Sequence, residues 1–484
     1  MQNILASTLA ALTILFPLLI NMISLPSATS VEINFSTLDS VIEAQMTKHS
    51  LPGVALAVIE KDQVVYLKGY GVDGNGDPVT PQTQMLIGSQ SKSFTALAIA
   101  QLVEQGKLDL DTPVKMYIPW FRVADETASS QITINHLLHH TSGLSDSGFS
   151  VLIPNDATPE QAVRSLAKAK ITAPVGVKHQ YFNMGYSVLS YLVELASGKT
   201  YAEYVRENIL LPLGMNSSSA DTTTYRDIPR GYSRVFSFPI PMSEDIPIYG
   251  AGEGFIISTV EDMAKYAAAF LNGDSGLVSK EMMNRILTPG PGSYGMGWYI
   301  FDSGAKIVHG GANQTFRTEV NIYPNSERAF VLLTNQGYQV DHFVSAVQLT
   351  SSVEAVILGN TPQPVSQGWS VKWVGWGLGI IVLALLILQT RNFLALRHWK
   401  KRIQNYSPSK KAWDVAMSFI IPTAILIVVF WQVSGFYGNR FNFITSLAYM
   451  PKGMPDIFIL ILVGSLPDYI QGFIKIFLVN SRKV

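Results

Sequence analysis

The last quarter of the chain contains long apolar stretches without charge, and these restrict its fold more than any other feature. Residues 373–390 carry no charged side chain over 18 residues, and residues 415–431 form a second such stretch. Only a helix or a closed barrel satisfies its backbone in lipid, and about 20 apolar residues make one helical span. A third stretch, 457–479, is interrupted by Asp468 and Lys475. The pattern predicts about three transmembrane helices, with an interfacial or re-entrant helix as the alternative for the third.

The connecting loops of this predicted membrane domain, 373–479, indicate its orientation. The loop 391–411 holds seven Lys and Arg residues, whereas the loop 433–454 has only Arg440 and Lys452. Basic loops stay in the cytoplasm, so the first loop is predicted inside and the chain before the first span outside. A basic loop could instead bind nucleic acid, but its place between two spans and the zero net charge argue against that partner. Membrane lipid is the expected partner.

The N-terminal segment, 1–30, is predicted to be a signal peptide or an N-terminal anchor. Residues 4–20 are apolar and uncharged, and Ala28-Thr29-Ser30 fits a small-x-small cleavage site. The first three residues lack the Lys or Arg that a signal peptide usually has, so an uncleaved anchor remains the alternative. Both readings place residue 31 onward outside the cytoplasm.

Residues 31–360 have the mixed composition of a globular domain, followed by a linker at 361–372. Residues 54–60 and 64–70 predict a β-hairpin, and residues 94–106 predict a helix that stops at Gly106. Three strands and a helix are predicted near the end of the domain, at 305–311, 315–323, 328–335 and 341–358. Strands at both ends of a helical middle predict an α+β fold, with an antiparallel sheet built from the N- and C-terminal strands beside a helical subdomain.

Ser89 is a candidate nucleophile because Lys92 follows it by three residues. This spacing at the start of a helix places the hydroxyl and the amine on one face, where the amine can take the hydroxyl proton. The helix N-terminus also favours developing negative charge. The same spacing occurs at Ser165…Lys168, in a polar helix, and at Ser407…Lys410, in the predicted cytoplasmic loop.

Two further segments supply groups that such a nucleophile needs. Tyr181 and Asn183 lie two residues apart in a segment predicted to be irregular, where the phenol could transfer protons and the amide could bind substrate. His309-Gly310-Gly311 is predicted to end a strand whose glycines let substrate approach the backbone. An N–H just beyond them, with that of Ser89, could form an oxyanion hole. Tyr-x-Asn also occurs at 323–325, in a predicted turn, and at 437–439, in the predicted external loop.

In these three elements and their order, the sequence resembles the serine β-lactamase and penicillin-binding-protein superfamily, in its class C β-lactamase and D,D-peptidase branch. That branch carries Ser-x-x-Lys, Tyr-x-Asn, then Lys-Thr-Gly or His-x-Gly. Ser89, Tyr181 and His309 follow in this order, 92 and 128 residues apart. Further similar segments are 87–88, 134–144, 212–215, 258–263 and 294–298, and the resemblance covers about 50–345. The membrane segments lie outside the core family pattern.

The resemblance implies a role for each of these residues. Ser89 would be acylated, Lys92 would be its base, and Tyr181 would protonate the leaving group and activate water. Asn183 would orient substrate together with Gly310 and Gly311, and the N–H of Ala312 would complete the oxyanion hole. His309 would stand where many relatives have lysine, and an imidazole is a weaker anchor for a substrate carboxylate. This substitution makes efficient β-lactamase action a weaker expectation.

Other candidate residues have competing interpretations. The absence of cysteine excludes thiolate metal sites, disulfides and cysteine nucleophiles. His136, His139 and His140 have metal-ligand spacing, but without a carboxylate motif hydrogen bonding is expected, and no metal or cofactor is predicted.

Glu253 could meet a cationic substrate group or be a solvated loop residue, and Arg317 could supply charge near His309 or face outward. Asp468 could be functional within the membrane or follow a break at Pro467.

The sequence therefore predicts an extracytoplasmic membrane-bound serine hydrolase that works through an acyl-enzyme. A peptidase or amidase acting on D-amino-acid-containing substrates is expected first, with esterase and β-lactamase as alternatives. A β-lactam-binding membrane receptor is the alternative from another class. The expected ligand is a peptide-like or ester small molecule, and the oligomeric state is left open.

Overall fold

The protein is described here from a computed structural model covering residues 32–225, 228–273, 276–338, 342–365, 370–436 and 454–480. The predicted N-terminal signal or anchor and the Tyr-x-Asn at 437–439 lie outside these residues. The strands are β1 Gly53–Glu60, β2 Gln63–Gly71, β3 Met85–Leu86, β4 Gly231–Val235, β5 Phe238–Met242, β6 Ile257–Ser258, β7 Tyr299–Phe301, β8 Lys306–Ala312, β9 Arg317–Tyr323 and β10 Arg328–Thr334.

Fifteen α-helices are assigned within the described residues. They are α1 Phe35–His49, α2 Ser91–Glu104, α3 Val114–Tyr117, α4 Glu126–Gln131, α5 Ile134–Leu138, α6 Pro159–Ser165, α7 Asn183–Ser197, α8 Tyr201–Val205, α9 Ala251–Gly254, α10 Val260–Leu271, α11 Lys280–Ile286, α12 Val347–Ile357, α13 Val371–Arg402, α14 Pro408–Phe436 and α15 Pro455–Asn480.

The central sheet joins the two ends of the globular domain, as the sequence predicted. Its order is β2-β1-β10-β9-β8-β7, and all neighbouring strands are antiparallel. β1 and β10 are neighbouring interior strands and are buried along almost their whole length, which explains their continuous apolar sequences. The α+β architecture is therefore confirmed, and the predicted strands near the C-terminus agree with β8, β9 and β10 to within two residues.

Helix α2 is the central helix of the domain, and the described residues from Ser91 to Leu102 are all buried. Apolar residues therefore cover every side of it rather than one stripe. Gly106, just beyond the helix, has φ +69°, which is the left-handed conformation predicted for a helix stop. A helix enclosed on all sides gives its first turn, which carries Lys92, a fixed position relative to the sheet, and Ser89 lies in the 3₁₀ turn directly before it.

Three C-terminal helices are long and apolar enough to cross a membrane, over Val371–Trp399, Pro408–Val428 and Pro455–Val479. The third is one continuous helix that includes Pro467, so the structure does not support the alternative of a break at Pro467-Asp468. The charge of Lys475 is compensated because its Nζ lies 3.3 Å from an Asp414 carboxylate oxygen. Helix α13 also continues to Arg402, farther than the predicted span, because basic residues in a last turn stabilise the helix dipole.

Helices α13 and α15 meet the globular domain at their N-terminal ends. Before α13, Ser370 Oγ donates to the Lys48 carbonyl at 2.8 Å. At the start of α15, Tyr338 Oη donates to an Asp456 carboxylate oxygen at 2.6 Å. Both helices therefore begin beside the same domain.

Candidate active site

The candidate nucleophile lies on a tight turn that leads directly into α2. Residues Gly88–Gln90 form one 3₁₀ turn, and Gly88 has φ +54°. A side chain at position 88 would be strained in this conformation and would also lie 2.3 Å from the Ala312 nitrogen. Glycine therefore permits both the turn and the approach of β8. Ser89 is partly exposed at this point, whereas the residues that follow are buried.

Lys92 lies beneath Ser89 and is fully buried. Its Nζ is 3.2 Å from Ser89 Oγ and 2.8 Å from Asn183 Oδ1, and it also donates to the Glu253 carbonyl. Three oxygens around one nitrogen match the three donors of an ammonium group. In its free-base form, the same nitrogen would be placed to receive the Ser89 proton.

Tyr181 is held above Lys92 by its two chain neighbours. The Gln180 N–H donates to the His140 carbonyl at 2.7 Å, and the Phe182 N–H donates to His140 Nδ1 at 3.1 Å. The His140 ring packs on the Tyr181 ring with 4.3 Å between centroids, and Lys92 Nζ lies 4.9 Å from the Tyr181 centroid. Tyr181 lies in a segment without regular secondary structure, as predicted. Asn183, in contrast, is the first residue of α7, and this position fixes its amide toward Lys92.

The strand β8 closes the other side of the nucleophile turn. A Cβ on Gly311 would lie 1.9 Å from the Ile87 carbonyl oxygen, so any larger residue would force the strand and the turn apart. The following residue, Ala312, is exposed and directly faces Gly88. The backbone nitrogen of Ala312 is therefore close to the turn that carries Ser89.

His309 is buried in β8, and the segment His309-Gly310-Gly311 lies near the end of that strand as predicted, one residue before its last residue, Ala312. Its Nε2 is 3.1 Å from Tyr294 Oη, and its Nδ1 is 2.7 Å from the Gly310 carbonyl. Burial, aided by the positive charge of Lys92, lowers the pKa of His309 to about 3. His309 is therefore neutral at ordinary pH, and it does not supply the positive charge that a lysine at this position would carry.

The buried neutral state of His309 predicts a pH dependence of stability. The unfolded chain binds a proton at this imidazole below pH ~6.5, whereas the folded protein does so only near pH 3. The contribution of His309 to the free energy of unfolding is complete above the pKa that the imidazole has in the unfolded chain. Below that pKa, the contribution is lost by ~1.4 kcal/mol for each unit by which the pH falls. Denaturant unfolding of the detergent-solubilised protein should therefore weaken more between pH 7 and pH 5 in wild type than in His309→Gln. Equal pH dependence in the two proteins would show that His309 is not buried as described.

Several candidates from the sequence prove to be structural. Arg317 neither faces outward nor reaches His309: its side chain is buried, and Nη2 donates to the Gly337 carbonyl at 2.9 Å. His136 Nδ1 accepts the Thr133 N–H in a helix cap at 3.2 Å, and His139 Nδ1 lies 3.1 Å from the Asn135 carbonyl. Within the described part of the chain, no group of three His, Asp or Glu side chains could hold a metal ion.

The other two Ser-x-x-Lys sequences have structural explanations. Ser165 ends α6, its Oγ donates to the Ala162 carbonyl at 2.6 Å, and Lys168 lies in the 3₁₀ turn that follows. Ser407 precedes α14, and its Oγ accepts the Lys410 N–H at 3.3 Å. Neither hydroxyl has a lysine amine as its hydrogen-bond partner in these contacts, unlike Ser89.

Sequence reasoning assigned no role to Tyr294, expected only hydrogen bonding for His140, and left Glu253 between a contact with a cationic substrate group and a solvated loop position. Tyr294 is fully buried between His140 and His309, although segment 294–298 was noted only as similar to the family. Glu253 is not a solvated loop residue, since Ser187 Oγ donates to its carboxylate at 2.7 Å. These contacts join segments that are far apart in sequence, so no local pattern could have indicated them.

Comparisons with known proteins show the family of the chain. The Beta-lactamase family model matches residues 38–352, and the chain therefore belongs to the Beta-lactamase family. This confirms the resemblance found in the sequence motifs. The chain is a member of a family that contains hydrolases, and it is similar to penicillin-binding-protein homologues.

Individual relatives match about two thirds of the chain. Protein flp of Staphylococcus aureus (strain MW2) is 25% identical over 319 residues, which is 62% of each protein. The unguisins hydrolase ungD' of Aspergillus campestris (strain IBT 28561) is 28% identical over 337 residues, 63% of this chain and 62% of that one. The octameric penicillin-binding protein homologue from Pyrococcus abyssi has a TM-score of 0.59 at 29% identity, covering 68% of this chain and 78% of that one. The chain thus spans about 62% of the length of these curated relatives.

Proposed function

We propose that the protein is a membrane-anchored serine hydrolase whose catalytic domain faces the outside of the cell and whose nucleophile is Ser89. Lys92 takes the proton of Ser89 as Oγ attacks an amide or ester carbonyl. The N–H groups of Ser89 and Ala312 stabilise the oxyanion, and Tyr181 passes a proton to the leaving group. Water activated by Tyr181 then releases the acyl group and restores the hydroxyl.

The observation that carries this proposal is the contact of Lys92 Nζ with Ser89 Oγ at 3.2 Å, at the start of a buried helix and opposite β8. A base within hydrogen-bond reach of a hydroxyl is the basic requirement of nucleophilic catalysis by serine. The outward orientation is supported by the basic loop and by the two helices that begin beside the globular domain.

The chemistry around His309 supports one substrate class over the others. A peptidase or amidase acting on D-amino-acid-containing substrates fits the family resemblance, with esters as the alternative. β-Lactams and peptides with a free C-terminal carboxylate need a cation at this strand, and neutral His309 and buried Arg317 do not supply one. We therefore expect an amide or ester bond whose leaving side carries no free carboxylate.

A matched substrate panel tests this proposal. An acyl-D-Ala-D-Ala peptide would be compared as free acid and as C-terminal amide, together with the L-isomers, a p-nitrophenyl ester and a penicillin. We expect the D-amide to be cleaved at least tenfold faster than the D-acid, and Ser89→Ala to cleave neither. Preference for the free acid would contradict the assignment of His309 as neutral. A lasting penicillin adduct without turnover of any substrate would favour a β-lactam receptor instead.

A further inference from the structure

The hairpin formed by β4 and β5 presents an apolar surface near its turn. Residues 235–242 contain no charged side chain, and Phe238 and Ile240 are 58% and 40% exposed. Side chains two residues apart on a strand point to the same face, so Phe238 and Ile240 form one surface. An exposed apolar surface marks a contact with protein or membrane when further exposed apolar side chains continue it.

Helix α13 supplies that continuation. Trp373 and Trp376 are both exposed, and the centroid of the Trp376 ring lies 5.9 Å from that of the Phe238 ring. Beside them, Ser237 Oγ donates to the Lys372 carbonyl at 2.8 Å. The hairpin is therefore joined directly to the first two turns of a helix that is long and apolar enough to cross a membrane.

The turn of the hairpin lies along α13 for a further helical turn. A Cβ on Gly375 would lie 2.3 Å from the Phe236 carbonyl oxygen, so a larger residue would force the helix and the hairpin apart. A Cβ on Gly379 would lie 3.8 Å from the Phe236 ring, which is an ordinary packing distance. Because residues four apart share one face of a helix, both glycines face the hairpin.

The length of this helix indicates how deep the hairpin lies. The stretch Val371–Trp399 has 29 residues and is about 44 Å long, whereas the hydrocarbon core of a bilayer is about 30 Å thick. A centred span would leave about 7 Å, or roughly five residues, in the headgroup region at each end. Trp373 and Trp376 fit this region, where tryptophan is enriched. Phe238, which contacts Trp376, would then lie at the boundary between headgroups and acyl chains.

The base of the hairpin is fixed to the globular domain. In β4, the Tyr232 N–H donates to the Asn335 carbonyl at 2.8 Å, and Tyr232 Oη donates to the Asp73 carbonyl at 2.6 Å. Just after β5, the Glu244 carboxylate accepts the Gln314 N–H at 2.9 Å. The position of the hairpin beside α13 is therefore set by the fold of the domain.

Lipid suits this surface better than a further protein strand does. Pro239 and Pro241 have no N–H, so β5 offers an added strand no donor at these two positions. The charged residue of the hairpin, Arg234, is buried, and its Nη2 donates inward to the His49 carbonyl at 2.8 Å. Contact with lipid therefore removes no charged group of residues 235–242 from water.

We propose that the β4–β5 hairpin is a second membrane contact of the protein, which inserts Phe238 and Ile240 into the lipid interface beside α13. The partner is the phospholipid bilayer, on the side that carries the globular domain. This inference goes beyond the proposed hydrolase reaction and rests on the membrane anchoring proposed with it. Two contacts, the helix and the hairpin, hold the globular domain at a fixed height above the bilayer.

Single-cysteine labelling of the full-length protein tests this contact, because the chain has no cysteine of its own. Phe238→Cys and Ile240→Cys would carry an NBD fluorophore in phosphatidylcholine nanodiscs, with and without phosphatidylcholine that bears a doxyl quencher near its ester groups. We expect a loss of fluorescence at both positions similar to the loss at Trp376→Cys, which labels the start of α13. Met116→Cys is the matched control, a 71% exposed apolar position on α3, and it should lose little.

Quenching at position 376 without quenching at 238 and 240 would overturn the inference and leave the membrane anchor in place. Quenching at 116 as strong as that at 238 would also overturn it, because the contact would then not be specific to the hairpin. No quenching at 376 would instead contradict the membrane anchoring of the proposed function, and this inference with it. Unfolding midpoints and the rate of Ser89 labelling by a fluorophosphonate probe would show that the variants keep the wild-type fold.

Discussion

Replacing Lys92 with methionine is expected to slow the acylation of Ser89 by about 10²- to 10⁴-fold. Methionine has a similar length and suits a buried position, so the helix should keep its packing while Ser89 loses the amine 3.2 Å from its hydroxyl. The rate of probe labelling and the rate of ester hydrolysis should fall together, because both depend on removal of the same proton. Stopped-flow or time-resolved intact-mass measurements would give the acylation rate directly.

The chain offers two matched controls for this substitution. Lys168 and Lys410 occupy the same position in the other two Ser-x-x-Lys sequences, and Lys168→Met and Lys410→Met should leave acylation unchanged. A similar loss of activity in either control would mean that the effect comes from removing a lysine from the protein, not from removing a base beside Ser89. An unchanged rate in Lys92→Met would exclude Lys92 as that base.

Gly311→Ala is expected to cause the second large effect, on both stability and activity. The new methyl group would lie 1.9 Å from the Ile87 carbonyl oxygen, which is backbone and cannot move without displacing the nucleophile turn. Overpacking of this kind costs about 1–3 kcal/mol of unfolding free energy. A displacement of about 1 Å between Ser89 and the Ala312 N–H should reduce the acylation rate by about 10²-fold.

Gly310→Ala provides the comparison, since it adds the same methyl group to the neighbouring residue. There the nearest atom is a Glu319 carboxylate oxygen at 3.0 Å, the end of a flexible side chain that can move aside. We expect Gly310→Ala to lose less unfolding free energy than Gly311→Ala, because a side-chain carboxylate can move aside and a backbone carbonyl cannot. Equal losses in the two variants would show that β8 does not approach the turn as described.

Much of this molecule was predictable because its signals are local. The hairpin of β1 and β2, the strands β8 to β10 and the three apolar helices each follow from periodicity or hydrophobic length within one segment. The choice of Ser89 among three Ser-x-x-Lys sequences needed more, namely the order in which Tyr181 and His309 follow it. The order of the three motifs is informative because they lie on different secondary-structure elements that together form one site.

The unpredicted features depend on burial by segments that are distant in sequence. Arg317 is a strand residue with no local sign of burial, yet its guanidinium bonds the carbonyl of Gly337. The neutral state of His309 requires Tyr294 and the surrounding apolar packing, and the partial burial of Glu253 requires Ser187 on α7. A sequence pattern identifies such residues as polar and near a motif, but only the fold determines which charges they keep.

The most direct test of Ser89 as the nucleophile is peptide mapping of the fluorophosphonate adduct on the purified full-length protein. Wild type should carry one adduct, located on Ser89, and Ser89→Ala should carry none. Ser165→Ala and Ser407→Ala should label as wild type does, since their hydroxyls make only the structural contacts described. Labelling of Ser89→Ala at the wild-type rate, or an adduct on another serine of the wild-type protein, would contradict the assignment of this site.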